Sequence, residues 1–133
     1  MDELNVVYHI NRAFGRRFEL AEYRYSYFDA YDDDYIAEIK VRKHHYDDCM
    51  IEYDKYAKNI AYAKLHNVYF VYIVATKSHI YIFNITKMND SNYNFKWSDR
   101  TMPKNTHFGD YKNKITKKVG YVNVNDCSCK LSL

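Results

Sequence analysis

Residues 28–42 read FDAYDDDYIAEIKVR, and the division of this stretch decides the fold. Asp32, Asp33 and Asp34 are turn formers. Residues 35–43, YIAEIKVRK, then alternate with a period of two, which predicts a strand. Ala37, Ile39 and Val41 face one way; Glu38, Lys40 and Arg42 face the other. With Asp33-Asp34 as a two-residue turn, Asp29 falls opposite Glu38 and Tyr27 opposite Lys40. Directly opposed residues share a face, with Cβ atoms about 5 Å apart. Phe28 and Ala30 then join Ala37, Ile39 and Val41 on the core side. A slip of one residue would reverse the assignment.

Two carboxylates held opposite one another repel, and a divalent cation between them removes the repulsion. Mg²⁺ takes one or two carboxylates together with waters and phosphate oxygens. Lys40 points to the same side as Glu38, where it can orient a water or balance charge on phosphorus. These residue types at this spacing match metal-dependent phosphodiester hydrolysis. The ordinary alternative is a solvated polar hairpin, because Glu-x-Lys is common on exposed strands.

Outward from this stretch, residues 2–14 read as a helix, with Asp2 as N-cap and Gly15 as the stop. Leu4, Val7, Tyr8, Ile10 and Phe14 form its apolar side. Residues 18–31 are Tyr-rich and read as one long strand with a break. Tyr23, Tyr25 and Tyr27 share the face of Asp29 and can stack on bases or pack under a helix. Residues 47–66 read as a helix that starts near Cys49, buries Tyr53, Ala57, Ile60, Ala61 and Leu65, and stops at Asn67. Val68 to Thr76 is an apolar run expected as a central strand buried on both faces. Lys77-Ser78 is a turn, and His79 to Thr86 completes a hairpin. Residues 87–110 read as loop with one short strand, anchored by Trp97 and interrupted by Pro103. Val119 to Val124 is a last, edge strand, and the tail has no pattern. The expected architecture is α+β: one domain over 1–133, with a central mixed sheet flanked by helices, its core in 1–86 and a C-terminal loop and edge strand in 87–133.

The chain has 133 residues, 47% of them hydrophobic, which excludes a disordered chain and permits one sizeable core. Lys, Asn, Ile, Tyr and Phe supply 59 of the 133 residues. All have AT-rich codons, so a phage, another virus or a low-GC bacterium is the expected source. The net charge of +3 neither demands nor excludes nucleic acid. Its distribution says more: residues 1–54 carry seven basic and thirteen acidic side chains, and residues 55–133 carry thirteen basic and four acidic. An acidic centre followed by a basic half suits a metal beside a phosphate. Three cysteines make no disulfide framework, and Cys127-x-Cys129 lacks a second ligand pair for zinc. The longest apolar run is too short to span a bilayer, and the first residues lack a signal-peptide pattern. A cytoplasmic protein with no membrane partner is the expectation; a phage-encoded one would lie in the host cytoplasm or in the virion. With three glycines there is no phosphate-binding loop. His44 and His45 follow the Glu-x-Lys strand, where they can contact phosphate or shuttle a proton.

Asp29 within FDA, followed by EIK at Glu38-Ile39-Lys40, resembles the PD-(D/E)xK nuclease superfamily, the fold of many restriction enzymes, Holliday-junction resolvases and phage exonucleases. The resemblance covers roughly residues 1–86. It implies a restriction-endonuclease-like core that holds Mg²⁺ or Mn²⁺ through Asp29, Glu38 and the Ile39 carbonyl. Lys40 becomes the catalytic lysine and Glu3 the acid of the first helix. Lys55, or Lys58, becomes the basic residue of the helix after the E-x-K strand. Phe28 stands where the superfamily usually has Pro, and Asp32 or Asp34 competes with Asp29 for the acid's place. Arg42, Lys55, Lys58, Lys112 and Lys114 are the expected nucleic-acid contacts. DNA is the expected substrate, with RNA as the alternative, and a homodimer is implied because members often dimerise to reach two strands. The competing reading is a catalytically inactive nucleic-acid-binding, virion or interaction protein on the same fold.

Overall fold

The computed structural model describes residues 1–22, 27–103 and 114–133. The fold is α+β, with three helices, a six-stranded mixed sheet and a three-stranded antiparallel sheet among the described residues. Helix α1 spans Glu3–Phe14. The Asp2 carboxylate accepts from the Asn5 amide at 2.8 Å, and Gly15, at φ 63°, ends the helix in a left-handed conformation. The buried side is Val6, Val7 and Ile10, while Leu4, Tyr8 and Phe14 of the expected stripe are exposed. Compact β-branched side chains fit closely over the small Ala30, Ala37 and Ala75 beneath them, which the longer residues could not do.

Strands β1 (Glu19–Leu20) and β2 (Ala30–Tyr31) are short, in place of the long strand expected over 18–31. Tyr23 and Tyr25 lie outside the described residues. The hairpin register is the expected one: Ala30 pairs with Ala37 and Tyr31 with Ile36 of β3, Tyr35–Val41. Asp32 is the turn's anchor, its Oδ1 accepting from the amides of Asp34 and Tyr35 at 2.9 Å each. Arg16 clasps the turn from outside, 2.8 Å from Asp32 and 2.9 Å from Asp34.

The expected helix over 47–66 divides in two. Asp48–Glu52 is strand β4, because Cys49 and Ile51 alternate inward against the strand over Lys114–Asn123. Helix α2 then runs Tyr53–His66 and ends at Asn67, φ 55°. The buried side is Tyr56, Asn59, Ile60 and Ala63, not the expected stripe, and Leu65 is 81% exposed. Strand β5 (Tyr69–Ala75) pairs parallel with β3 and antiparallel with β6 (His79–Asn84), and is buried on both faces as expected. The α2 crossover between β3 and β5 supplies the connection that a parallel pair requires.

Beyond β6, Ile85–Asp90 forms a short helix, α3, capped by the Asn84 side chain on the Lys87 amide at 3.1 Å. Strand β7 (Ser98–Pro103) tolerates its proline because it ends an edge strand. Strand β8 (Lys114–Asn123) is not an edge strand: it is the centre of the second sheet, ordered β4-β8-β7. The tail is not patternless either, since β9 (Cys129–Ser132) pairs with β6 and completes the order β1-β2-β3-β5-β6-β9. One core fills the space between α1 and one face of the large sheet. The other lies between the opposite face, α2 and the small sheet.

Phe28 packs with this second core, against Tyr62, and not with Ala37 and Ile39 as expected. Val41 is exposed, at the end of its strand. The small sheet meets α2 through an aromatic cluster of Tyr53, Tyr56, Phe95 and Trp97. Gly120 makes room for it: a Cβ there would sit 2.7 Å from Trp97 and 2.9 Å from the Phe95 carbonyl oxygen. Gly120→Ala is expected to destabilise the protein by about 1–3 kcal/mol through overpacking, read as a lower urea midpoint.

Candidate active site

The site grows from the partnership of β2 and β3. The Asp29 amide donates to the Ala37 carbonyl at 2.8 Å, and the Asp29 Oδ2 accepts from the Ile39 amide at 2.7 Å. The side chain thus takes the place of a ladder carbonyl where β2 begins, fixing Asp29 beside Glu38. A strand residue that offers its N–H to one neighbour turns its C=O to the same edge. The Ile39 carbonyl therefore lies on the edge of β3 that faces β2.

Glu38 is 2% exposed, on the face of β3 that looks toward α2. Its neighbour across the parallel pair is Tyr72, whose hydroxyl donates to the Met50 carbonyl at 2.7 Å. The expected polar face of β3 is therefore covered. The alternation of Ile36 and Glu38 with Ala37 and Ile39 separates two cores, not core from solvent. Two ammonium groups reach in: Lys40 from the same strand and Lys55 from the first turn of α2, each 3.7 Å from Glu38 Oε1. Glu38 Oε2 is buried with no hydrogen-bond partner. Burial, and then the charges of Asp29 and Glu52, push the Glu38 carboxyl above its usual range against the opposing pull of Lys40 and Lys55. Burial also pulls the Lys55 ammonium down, but Glu38, Glu52 and Asp29 outweigh it and leave its pKa raised. The two shifts are consistent. Glu38 is almost wholly desolvated, whereas Lys55 keeps 39% of its side chain in water, so attraction wins there.

Glu3, at the start of α1, belongs to the same electrostatic group. Burial and the nearby Asp29 raise its pKa, while Lys40 and Lys55 lower it. Asp32 and Asp34, the rivals of Asp29, are taken up by the Arg16 clasp. Among the described residues, no three His, Cys, Asp or Glu side chains converge tightly enough to hold a metal ion. The carboxylates that act on one another here are Glu38, with its unpartnered oxygen, Asp29 and Glu3.

The basic residues divide. Lys58 turns to Asp54 at 3.3 Å and lies 4.4 Å over the Tyr27 ring, one helical turn beyond Lys55. Arg42 lines a cleft beyond Lys40. Lys114 is exposed at the start of β8, and Lys112 lies outside the described residues. The basic strand instead reaches the site through Lys117, 3.2 Å from Glu52 Oε1. Sequence reasoning missed Glu52, placed Asn59 away from the buried side of its helix, and placed Lys117 with Lys112, Lys114 and Lys118 in a phosphate-binding patch without its link to Glu52. Asn59 is fully buried and donates to the Tyr27 carbonyl at 2.9 Å, tying α2 to the segment that leads into Asp29. Its helical spacing to Tyr56, Ile60 and Ala63 was the available signal. Among the described residues, no helix is long and apolar enough to cross a membrane. Comparison with family models, curated proteins and solved structures finds no match.

The raised Glu38 pKa has a definite sign. Below its ordinary value of 4.5 the carboxyl is neutral folded and unfolded; as pH rises through the raised value, folded-state stability is lost. Glu38→Gln stays neutral throughout. Its stability relative to the parent chain is expected to rise with pH from 4.5 to 8, read as the difference in melting temperature across that range in EDTA.

Proposed function

We propose that the chain is a metal-dependent nuclease that hydrolyses phosphodiester bonds, DNA first among its substrates. The observation that carries this reading is the buried Glu38 carboxylate, with an unpartnered oxygen, between Asp29 and two lysines. Burying such a group without full pairing is costly. A structural role would be met as well by an apolar residue, so the arrangement favours a ligand that completes it. Asp29, Glu38 and the Ile39 carbonyl would hold Mg²⁺ or Mn²⁺, with Glu3 at the outer edge. The cation would supply Lewis acidity toward a phosphate oxygen and a more acidic water.

The chain's own residues do the rest. The Lys40 ammonium orients the attacking water beside Glu38 and balances negative charge as the water oxygen bonds to phosphorus. Lys55, across Glu38 Oε1 from it, faces the phosphate's remaining charge. One P–O ester bond breaks; the attacking water gives a proton to solvent, and the departing oxygen takes one from a solvent water. Asp29 stays fixed by the Ile39 amide, so its carboxylate needs no reorganisation during the step.

A second reading has its own observation. Lys40 and Lys55 already face Glu38, and no third acid converges with it among the described residues. That favours a nucleic-acid-binding protein that has the nuclease arrangement without its activity. Incubation with labelled single- and double-stranded DNA and RNA, in Mn²⁺ or EDTA, separates the two. Expected is cleavage in Mn²⁺ alone, reduced about 10²–10³-fold in Lys40→Ala and lost in Glu38→Ala. Binding without cleavage by the parent chain supports the second reading.

A further inference from the structure

Beside the Glu38 site lies a cleft of about 490 Å³, within the roughly 300–1,000 Å³ typical of small-molecule sites. Both sheets build it. Tyr72 and Tyr81 come from the large sheet, with Arg42 just past the end of β3, and Cys49, Arg100 and Tyr121 come from the small one. It shares a wall with the candidate site, because Tyr72 is the strand neighbour of Glu38. Arg42 lies just past the end of β3, where its amide donates to the Ala75 carbonyl at 2.8 Å, two extended residues or about 7 Å beyond Lys40. That step is on the order of the distance between successive phosphates in an unstacked strand.

The chemistry of the cleft is that of one nucleotide. Among the described residues, no carboxylate lies within 4.0 Å of the Arg42 or Arg100 guanidinium. Arg100 is instead held by the Tyr121 hydroxyl, to which its Nη1 donates at 3.1 Å. Tyr46 is exposed and offers an aromatic face, whereas Tyr81 is buried and packed against His79 and His45. Two guanidinium groups with no carboxylate partner among the described residues, beside the exposed Tyr46 ring, suit a phosphate and an unpaired base. Asp48 lies in the same lining and is occupied by the Asn123 side-chain amide. A duplex is far too wide to enter a cleft of this volume.

We propose that this cleft receives a single unpaired nucleotide next to the scissile phosphate, with its phosphate on Arg42 and Arg100 and its base against Tyr46. The proposal rests on the nuclease reading of the adjoining site and assigns the substrate as single-stranded or frayed nucleic acid. The test is fluorescence anisotropy of labelled hexathymidylate, hexauridylate and a blunt DNA duplex on the Glu38→Gln variant in EDTA, with thymidine monophosphate, thymidine and inorganic phosphate as competitors. One or both single strands are expected to bind about tenfold or more tightly than the duplex; which of them does so distinguishes DNA from RNA. The monophosphate is expected to compete better than thymidine or phosphate alone. Arg42→Ala and Arg100→Ala are each expected to weaken single-strand binding about tenfold. Equal binding of duplex and single strands overturns the proposal, as does unchanged binding in both arginine variants with melting temperatures matching the parent. Binding is read without cleavage, so the two readings fail separately. Cleavage of duplex with no single-strand preference removes only the cleft assignment, and single-strand binding by a chain that never cleaves removes only the nuclease.

Discussion

Everything around the site depends on the parallel pairing of β3 with β5. A parallel pair needs a crossover, and the crossover needs a face to lie on. Helix α2 takes one face of the large sheet and α1 the other, so β3 is covered on both sides. Ala37 and Ile39 belong to the α1 core; Ile36 and Glu38 look toward α2. The glutamate is thereby enclosed by the same geometry that completes the fold. Lys55 then arrives from the first turn of α2, because the helix that covers the strand begins beside it.

This enclosure sets stability against chemistry. An ionised carboxylate with an unpartnered oxygen weakens the folded state at neutral pH, and the two lysines at 3.7 Å offset only part of that. Both keep about a third of their side chains in water, so they remain free to turn toward an incoming anion. The clasp of Arg16 on Asp32 and Asp34 works the other way. It satisfies Asp32 and Asp34, so these two acids hold the turn and do not compete with Asp29.

The local features of the fold were legible where short-range chemistry decides them. The cap at Asp2, the stop at Gly15, the hairpin register and the run of β5 all follow from neighbouring residues. What could not be read depends on partners distant in sequence. DCMIE is ambiguous alone and becomes a strand only because β8 offers Val122 and Gly120 opposite Cys49 and Ile51. The C-terminal CKLS likewise gains its pairing from β6. At the site, Glu38 and Lys40 were legible from alternation, and Asp29 from the turn length. The burial of their face was not, because alternation marks two sides without saying that both are covered. Glu52 and Lys117 are 65 residues apart in sequence, beyond the reach of any local pattern.

The aromatic cluster at the junction of α2 and the small sheet contains the chain's single tryptophan. Trp97 touches Tyr53 and Tyr56 in the first turn of α2, the turn that also presents Lys55 to Glu38, and it lies against the glycine of β8. Its emission therefore comes from one defined place, where the small sheet leans on the site's helix. The protein carries a built-in optical gauge: any ligand that shifts α2 against the small sheet changes the indole's surroundings without a label being added.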